Sequence, residues 1–545
     1  MVNVDTLSLE KLSLSSAATA TDDSLLAGKS SHNGVSSQLP SPELAPTPTP
    51  LVVTNGSMKS LMQPTKSEAY AARRFFSLPD PPSGLVSPLA SPTHGTHAGR
   101  FRAASEMAIL NGGAITQIHN CRVLRNHRIE YDDVWFQDGR IINPTSLYGL
   151  RNPDVRIDAK GLIVAPGLID VQLNGAFGYD FSFNRTDIDE CVDIVSRGVL
   201  LQGCTAYCPT TVSSMPDTYH TVIPHIGPRP GSLVNGAESL GAHIEGPFMN
   251  PKKKGAHELA CLRAAPNGLA DFDACYGLEN LRKHVAYVTV APEVEGVLDA
   301  IPQLIYECDI GISMGHTMAD NETARRAHRN GARMITHLFN AMTDFHHRDP
   351  GVIGLLGSTG MPGEHKLDAN GVVEPSTATM GTDTFYGLIC DGIHVHPNTV
   401  KIAYNSHPAG AILVTDAMGA MGLPDGQYKL GNMSVDVKPK TDVKGCPRAA
   451  VIQGTNTLAG SIVTLIECVR NFHEFTQCSI VDAIEAATLH PAQMLGVQDR
   501  KGSLNYGCDA DIIFLTDDLQ VDSVFVRGQL ATPATVDFKL PAGPK

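Results

Sequence analysis

IGISMGHTMADNETARRAHRNGARMITHLFNA, residues 310–341, contains two short apolar runs with a helical stretch between them. The first run, IGISMGHT, and the last, MITHLFNA, are typical of buried strands, whereas NETARRAHRNGA is typical of a helix. A strand, a helix and a second strand in this order predict two parallel strands joined by a crossover helix. This stretch therefore indicates an α/β fold.

The same alternation continues on both sides of this stretch. Other strand-like runs are LIDVQLNG (168–175), GAHIEGPF (241–248), AYVTVAPE (286–293), GLICDGIHV (387–395) and AILVTDAMG (411–419). Helical stretches follow, including VTLIECVRNFHEFT (463–476) and IVDAIEAATLHPAQMLG (480–496). Repeated strand–helix units over this length predict a (β/α)8 TIM-like barrel. The rival is a doubly wound open sheet, which usually carries a Gly-rich phosphate loop after its first strand, and the sequence has no convincing one.

Short β-like runs flank this region at both ends. We expect residues 105–162 and 501–535 to form one small β-sandwich, built from both ends of the folded region around a barrel at 163–500. Residues 1–104 are rich in Ser, Pro, Thr and Gly, and such segments bury too little apolar surface to offset chain entropy. We therefore expect a disordered tail, either inert or regulated at its Ser-Pro pairs.

Composition excludes several functional classes. The formal net charge of −14 over 545 residues argues against a nucleic-acid binder, which needs a basic face. No run of eighteen apolar residues is present, so we expect no membrane span. The 12 cysteines are scattered without a CxxC pair, and the N-terminal segment lacks the features of a secretory signal. A cytoplasmic protein with reduced thiols is the expectation.

Four ionisable residues lie at the ends of separate strand-like runs: Glu245, His316, His337 and Asp416. A lone histidine at such a position is more often structural. Strand ends in a barrel converge, however, and burying these groups together without a cation would cost several kcal/mol. One carboxylate and two neutral imidazoles suit a zinc-like ion with a position left open for water. Asp416 would then be the base beside that water.

VAPGLIDVQLNG, HIEGPFMNPKKKGAH, MGHT, THLFNAM, DGIHV and TDAMG, in this order, resemble the amidohydrolase superfamily. More narrowly, they resemble the N-acetylglucosamine-6-phosphate deacetylases, from about Ile115 to about Gly528. The resemblance implies metal-dependent hydrolysis of the acetamide of N-acetyl-D-glucosamine 6-phosphate to D-glucosamine 6-phosphate and acetate, by a homodimer. It implies Glu245, His316 and His337 as metal ligands and Asp416 as the catalytic residue.

The sequence departs from many amidohydrolases after the first barrel strand. Those proteins carry His-x-His there and bind a second metal, whereas this chain has Gln172 and Asn174. Neutral amides bind transition metals far less well than imidazoles. We therefore expect one divalent ion per chain, with zinc as the default, and one branch of the deacetylase family shares this departure.

The resemblance also implies a set of substrate-binding residues: Ala256, His257, Asn340, Ala341, Arg348, His394, Leu458, Ala459 and Gly460. Arg348 can bind a phosphate through two nitrogens, helped by backbone amides near Asn340 and Ala341. His257 can stabilise an oxyanion and His394 can bind a sugar hydroxyl. A surface ion pair with Asp344 or Asp349 is the alternative for Arg348, and a structural role is the alternative for both histidines.

Neighbouring loops carry three further features. The tandem His346 and His347 should be solvated, and the basic run Lys252–Lys254 could steer an anionic substrate. Residues 357–384 resemble an insertion that forms a loop or hairpin over the site.

Two other functions stay open at this stage. One is a different amidohydrolase that acts on a cyclic amide or an N-acyl amino acid, although THLFNAM and the downstream Arg348 favour a sugar phosphate. The other is a non-catalytic scaffold. Such members typically lose metal ligands or the base, and this chain keeps all four residues.

Overall fold

The computed structural model describes residues 112–147, 151–182, 187–358, 384–439 and 448–540. All of them lie in the unit that spans Pro64–Lys545. The tail predicted at 1–104 lies outside the described residues, and so does most of the insertion at 357–384.

The described strands and helices are numbered here in chain order. The strands are β1 Thr116–Arg125, β2 Arg128–Gln137, β3 Arg140–Ile141, β4 Val155–Asp158, β5 Ile163–Pro166, β6 Leu168–Leu173, β7 Gly175–Ala176, β8 Tyr179–Asp180, β9 Cys204–Thr211, β10 Glu238–Ser239, β11 Ala242–Glu245, β12 Val285–Val290, β13 Gly311–Met314, β14 Met334–Ile335, β15 Phe385–Ile389, β16 Ala411–Val414, β17 Gly426–Leu430, β18 Met433–Pro439, β19 Arg448–Ile452, β20 Ile512–Leu515, β21 Val521–Val526 and β22 Gln529–Ala531.

The α-helices are α1 Ile188–Leu201, α2 Pro216–Val222, α3 Leu269–Tyr276, α4 Leu278–His284, α5 Val297–Cys308, α6 Asn321–Arg329, α7 Pro397–Ser406, α8 Leu465–Thr476, α9 Ile480–Glu485 and α10 Leu489–Met494. Short 3-10 helices cover Pro144–Leu147, Ile223–His225, Pro251–Lys253, Leu259–Cys261, Gly351–Ser358 and Pro408–Gly410. Within the described ranges, no helix is long and apolar enough to cross a membrane.

Eight parallel strands form the predicted barrel. β6, β9, β11, β12, β13, β14, β15 and β16 pair in this order, and the short β10 also pairs with β9. The last strand returns to the first through a parallel bridge between Leu173 and Ala417, and the backbone N–H of Asp416 donates to the carbonyl of Gln172 at 2.8 Å. This near-closure confirms the barrel and excludes the open doubly wound sheet.

The stretch at 310–341 folds as its pattern predicts. β13 and β14 are parallel neighbours, and α6 lies between them in the chain. Asp320 begins the helix because its carboxylate accepts the backbone N–H of Thr323 at 2.8 Å. The helix buries Ala324 and Ala327 and ends before Gly331. Gly331 has a φ of 106°, and a residue with a positive φ cannot continue an α-helix. The polar face of α6 therefore stays in solvent while its small residues pack on the barrel.

Both ends of the described chain contribute to a second, mixed sheet. Its strand order is β22-β21-β20-β5-β1-β2-β3, with β4 also paired to β1. Its core includes Ile118, Phe136, Ile512 and Phe525. The small β domain built from both ends is therefore confirmed, and its eight strands form one hydrogen-bonded sheet. β5 belongs to this sheet, so the boundary that we drew after residue 162 falls one strand too early.

A three-stranded antiparallel sheet, β17-β18-β19, follows the last barrel strand and was absent from our predictions. It packs Tyr428, Leu430 and Val435 against Val212 and Met418, which lie beyond the carboxyl ends of β9 and β16. This sheet consequently covers one side of the barrel mouth.

Candidate active site

Three side chains from separate strands meet at the carboxyl end of the barrel. Glu245 is the last residue of β11, whereas His316 and His337 follow β13 and β14 by two residues. Oε1 of Glu245 lies 3.2 Å from Nε2 of His316 and 2.9 Å from Nε2 of His337. The two Nε2 atoms are 3.0 Å apart, and all three residues are buried. The strand ends therefore converge as the sequence predicted.

Left-handed backbone conformations place these groups. The φ angles are 49° at His316, 29° at His337 and 46° at Asp416. A residue with a side chain seldom adopts this region, and each case costs on the order of 1–3 kcal/mol. Packing of the barrel imposes that cost at the first turn after each strand, where it directs the side chain towards the barrel axis.

His316 has a defined proton position. Its Nδ1 lies 2.8 Å from the carbonyl oxygen of Lys253, which can only accept a hydrogen bond. Nδ1 therefore carries the proton in the neutral ring, and Nε2 presents its lone pair to Glu245 and His337. Burial alone would raise the pKa of Glu245, but the adjacent His316 and His337 hold it well below its usual range.

The donor set fits one divalent cation. One carboxylate oxygen and two imidazole nitrogens face a common point within about one hydrogen-bond length of each other. Lone pairs at such spacing repel unless a proton or a cation lies between them. Carboxylate and imidazole together are ligands that zinc and similar ions accept, with a further position open for solvent.

His257 joins the same cluster but has the opposite proton position. Glu245, His257 and His316 each offer a ligand atom, and these atoms lie within 4.8 Å of one another. The backbone N–H of Ser213 donates to Nδ1 of His257 at 3.0 Å. Burial lowers the pKa of His257 to about 3, so the neutral ring carries its proton on Nε2. His257 is therefore suited to donate a hydrogen bond, while His316 and His337 are suited to bind a cation.

Asp416 adjoins this centre and is held by the two amides that replace His-x-His. Nδ2 of Asn174 donates to Oδ1 of Asp416 at 2.7 Å, and Nε2 of Gln172 donates to the same oxygen at 3.1 Å. Burial, reinforced by the charge of Glu245, raises the pKa of Asp416 to about 7. A carboxylate with this pKa can accept and return a proton near neutrality.

A pocket opens above these groups. Its walls contain all four predicted reactive residues and seven of the predicted substrate residues: Glu245, His316, His337, Asp416, Ala256, His257, Asn340, Ala341, His394, Leu458 and Gly460. Residues that the sequence analysis did not assign complete the lining: Asn174, Val212, Gly255, Ile389 and Leu430. The pocket therefore gathers residues from nearly every motif that we singled out.

Two predicted substrate residues lie outside this lining. Ala459, which lies between Leu458 and Gly460 in the sequence, is buried and does not line the pocket. Arg348 is exposed, and its Nε donates to Nε2 of His347 at 3.1 Å. The surface alternative for Arg348 is not seen either, because it forms no ion pair with the described Asp344 or Asp349. His346 and His347 are exposed, as predicted for a solvated loop.

The backbone around Asn340 differs from our expectation. Its N–H donates to the carbonyl of His337 at 2.9 Å, so it is already engaged. Its side-chain Nδ2 also approaches the carbonyl oxygens of His337 and Leu338, at 3.2 and 3.3 Å. Asn340 thus supports the turn that carries His337, and within the described chain the backbone N–H of Ala341 remains unengaged.

His394 is oriented by a residue that the sequence analysis missed. Nδ1 of His394 lies 2.7 Å from Oδ2 of Asp391, and Oδ1 of Asp391 accepts the backbone N–H groups of Ile393 and His394. Burial would raise the pKa of Asp391, but His394 and these bonds hold it below its usual range. The signal was available, because Asp391 follows β15 by two residues, as His316, His337 and Asp416 follow their strands.

Most of this chain matches the model of a known protein family. The family model described as "Amidohydrolase family" matches residues 163–531. This chain belongs to the amidohydrolase family. The match covers the barrel and the C-terminal strands that complete the small β domain, and the residues that line the pocket all lie within it.

Curated relatives and a solved structure are similar over most of this amidohydrolase. The N-acetylglucosamine-6-phosphate deacetylase of Danio rerio is 45% identical over 419 residues, which are 76% of this chain and 96% of the relative. The Mus musculus protein of the same name is 43% identical, covering 78% of this chain and 97% of that one. The crystal structure of the Pasteurella multocida deacetylase is 25% identical with a TM-score of 0.62, covering 76% and 99% of the two chains.

Proposed function

We propose that this amidohydrolase removes the acetyl group of N-acetyl-D-glucosamine 6-phosphate, giving D-glucosamine 6-phosphate and acetate. The observation that carries the proposal is the convergence of Glu245, His316 and His337 beside a separate aspartate, Asp416. The similarity to the deacetylase relatives covers nearly the whole length of those relatives. All four residues are present and brought together, which argues against a non-catalytic scaffold.

Glu245, His316 and His337 would hold one divalent cation, with zinc as the ion that suits this donor set. When bound, such an ion supplies positive charge that activates water and polarises a carbonyl. Glu245 has no proton-transfer role in this proposal, because its depressed pKa and its ligand position leave it ionised.

Asp416 and His257 carry out the proton and charge steps. Asp416 takes a proton as water attacks the acetyl carbon, and it returns that proton to the sugar nitrogen as the C–N bond breaks. The N–H at Nε2 of His257 donates to the carbonyl oxygen as negative charge develops there. Water adds one oxygen and one hydrogen to the acetyl group to give acetic acid, which ionises to acetate, and the amine leaves with the other hydrogen.

The sugar phosphate would be bound by residues around the mouth of the pocket. His394, oriented by Asp391, offers its second ring nitrogen to a sugar hydroxyl. The backbone N–H of Ala341 and the guanidinium of Arg348 bind the phosphate in this proposal, which requires Arg348 to leave His347. We further propose a homodimeric, cytoplasmic enzyme.

Replacement of Arg348 tests the phosphate assignment. Arg348→Ala should raise KM for N-acetylglucosamine 6-phosphate by about 10-fold or more, since a charge-assisted pair contributes about 1.5–3 kcal/mol. Hydrolysis of unphosphorylated N-acetylglucosamine should change little. An equal effect on both sugars would show that Arg348 does not bind the phosphate, while the proposed deacetylation would still stand.

Acetate release by the purified full-length chain tests the function directly. We expect release from N-acetylglucosamine 6-phosphate, loss of release after chelation, and recovery when Zn²⁺ is added back. Hydantoin and N-acetyl amino acids serve as the comparison substrates, because they represent the alternative amidohydrolase reactions. Faster turnover of either than of the sugar phosphate would overturn the proposal.

A further inference from the structure

The side-chain amides of Gln172 and Asn174, at the end of the first barrel strand β6, both bind one oxygen atom of Asp416. Asn174 and Gln172 both donate to Oδ1 of Asp416, at 2.7 and 3.1 Å. Because an ionised carboxylate only accepts, each amide must present its nitrogen to Asp416. Oδ2 of Asp416 receives no hydrogen bond from any described residue, and Asp416 lines the pocket. The two oxygens of this carboxylate are therefore not equivalent.

We propose that Gln172 and Asn174 are positioning residues, which bind Oδ1 of Asp416 and leave Oδ2 as the oxygen that exchanges the proton during hydrolysis. The inference rests on the proposed function, because it requires Asp416 to be the general base and acid. It assigns a role to the two residues for which the sequence predicted only a lost metal site.

Among the described residues, the two amides supply the side-chain hydrogen bonds of Asp416. The backbone of Asp416 is anchored, since its N–H donates to the carbonyl of Gln172 and its carbonyl accepts from Ser461. The carboxylate could still rotate, because the χ2 torsion of Asp has broad, roughly two-fold minima. Two charge-assisted bonds to one oxygen hold the plane and direct the other oxygen to the pocket.

The unused halves of the amides support a role beyond stability. Oε1 of Gln172 and Oδ1 of Asn174 are both buried without a hydrogen-bond partner among the described residues. A buried acceptor without a partner costs about 1–3 kcal/mol, which offsets much of what the two bonds to Asp416 contribute. Residues placed only to stabilise the barrel would be expected to satisfy both ends of each amide. Here the donors are used and the acceptors are not.

Apolar isosteres test this role. Asn174→Leu and Gln172→Met keep the volume and remove the donors. We expect each to lower kcat by about 10-fold or more, with KM, metal content per chain and thermal midpoint near those of the unaltered protein. Asn330→Leu is the matched control. Nδ2 of Asn330 also donates one hydrogen bond, to the carbonyl of Leu298, and Asn330 is not among the residues that line the pocket.

A double-mutant cycle separates positioning from a merely structural effect. In the Asp416→Asn background, Asn174→Leu should cause less than a two-fold further loss, because there is no longer a base to position. Losses that multiply would overturn the inference, and so would unaltered kcat in both single variants. If Asp416→Asn itself keeps near-normal turnover, the base assignment in the proposed function fails and takes this inference with it.

Discussion

His257 and His316 lie side by side in the pocket, with ring centroids 4.4 Å apart, yet their hydrogen bonds give them opposite proton positions. The backbone N–H of Ser213 fixes the acceptor nitrogen of His257, and the carbonyl of Lys253 fixes the donor nitrogen of His316. Neighbouring rings of the same type can therefore have different tasks. Backbone groups, which cannot change their polarity, decide which ring nitrogen carries the proton in each case.

This difference gives a prediction for His257. His257→Ala should keep about the metal content of the unaltered protein and lower kcat by about 10²–10³-fold, the usual effect of losing one oxyanion donor. His316→Ala, as the comparison, should lose the metal. Elemental analysis and acetate release on both variants make the measurement. Loss of metal from the His257 variant would mean that it is a ligand.

The free oxygen of Asp416 leads to a second residue-scale prediction. Asp416→Asn removes the proton acceptor and leaves the three proposed ligands in place. Turnover should fall by roughly 10²–10⁴-fold, the span usual for general acid–base help, while metal content stays the same. Single-turnover acetate release with elemental analysis checks both parts. Near-normal turnover would show that another group moves the proton.

Residue identities at the site were predictable, but several of their interactions were not. Glu245, His316, His337 and Asp416 each end an apolar run, and a barrel brings such ends together. The bond between Asn174 and Asp416 joins residues 242 positions apart, and no local pattern records it. The same holds for the tautomer of His257, which depends on a backbone group 44 positions away. Sequence periodicity locates a side chain, whereas its proton position depends on tertiary contacts.

At the scale of single elements, α6 links the loop of His316 to the strand that precedes His337. Asp320 caps this helix through Thr323. Asp320→Ala should lower the free energy of unfolding by about 0.5–2 kcal/mol, the usual cost of losing an N-cap. Neither kcat nor KM should change, because the side chain lies outside the pocket. Urea unfolding and acetate release together check this, and Asp320→Asn, which can still cap, should remain close to the unaltered protein.

The three-stranded sheet β17–β19 was not predicted from the sequence. Its first strand reads GQYKL and alternates exposed and buried residues, a pattern of a half-buried strand. Turn-forming residues surround it, and the segment follows the last barrel strand, where an α-helix is expected in a (β/α)8 fold. We assigned no element to this segment from the sequence. The consequence is functional, since this sheet supplies Leu430 to the pocket.

At the scale of the whole molecule, a buried ion cluster joins the barrel to the small β domain. Nζ of Lys501 lies 2.8 Å from Glu238, which begins the short strand β10 beside the barrel strand β9, and 3.1 Å from Asp509. It also pairs with Asp511, which precedes β20. Burial would raise the pKa values of Glu238 and Asp509, but Lys501, together with Arg500, holds both below their usual range. Lys501 thus pairs with three carboxylates at the junction, and two of them, Glu238 and Asp509, also pair with Arg500.

Removal of that ammonium should loosen the junction in a pH-dependent way. Lys501→Met leaves Asp511 buried without a cation among the described residues and leaves Glu238 and Asp509 with arginine partners alone, so the free energy of unfolding at pH 7 should fall by about 3–5 kcal/mol. Arg140→Met is the control, because Arg140 pairs with Asp509 from an exposed position and should contribute at most about 1 kcal/mol.

The sign of the pH effect follows from the lowered pKa values of Glu238 and Asp509. Their contribution is present above the unfolded pKa of about 4 and is lost as the pH falls through the folded values. Asp511 opposes this in part, because burial raises its pKa. The unaltered protein should therefore lose stability in acid faster than Lys501→Met, whose carboxylates are relieved by protonation. Urea unfolding at pH 7 and pH 4 should show the deficit of Lys501→Met shrinking. A deficit that stays constant would mean that Lys501 acts through packing rather than charge.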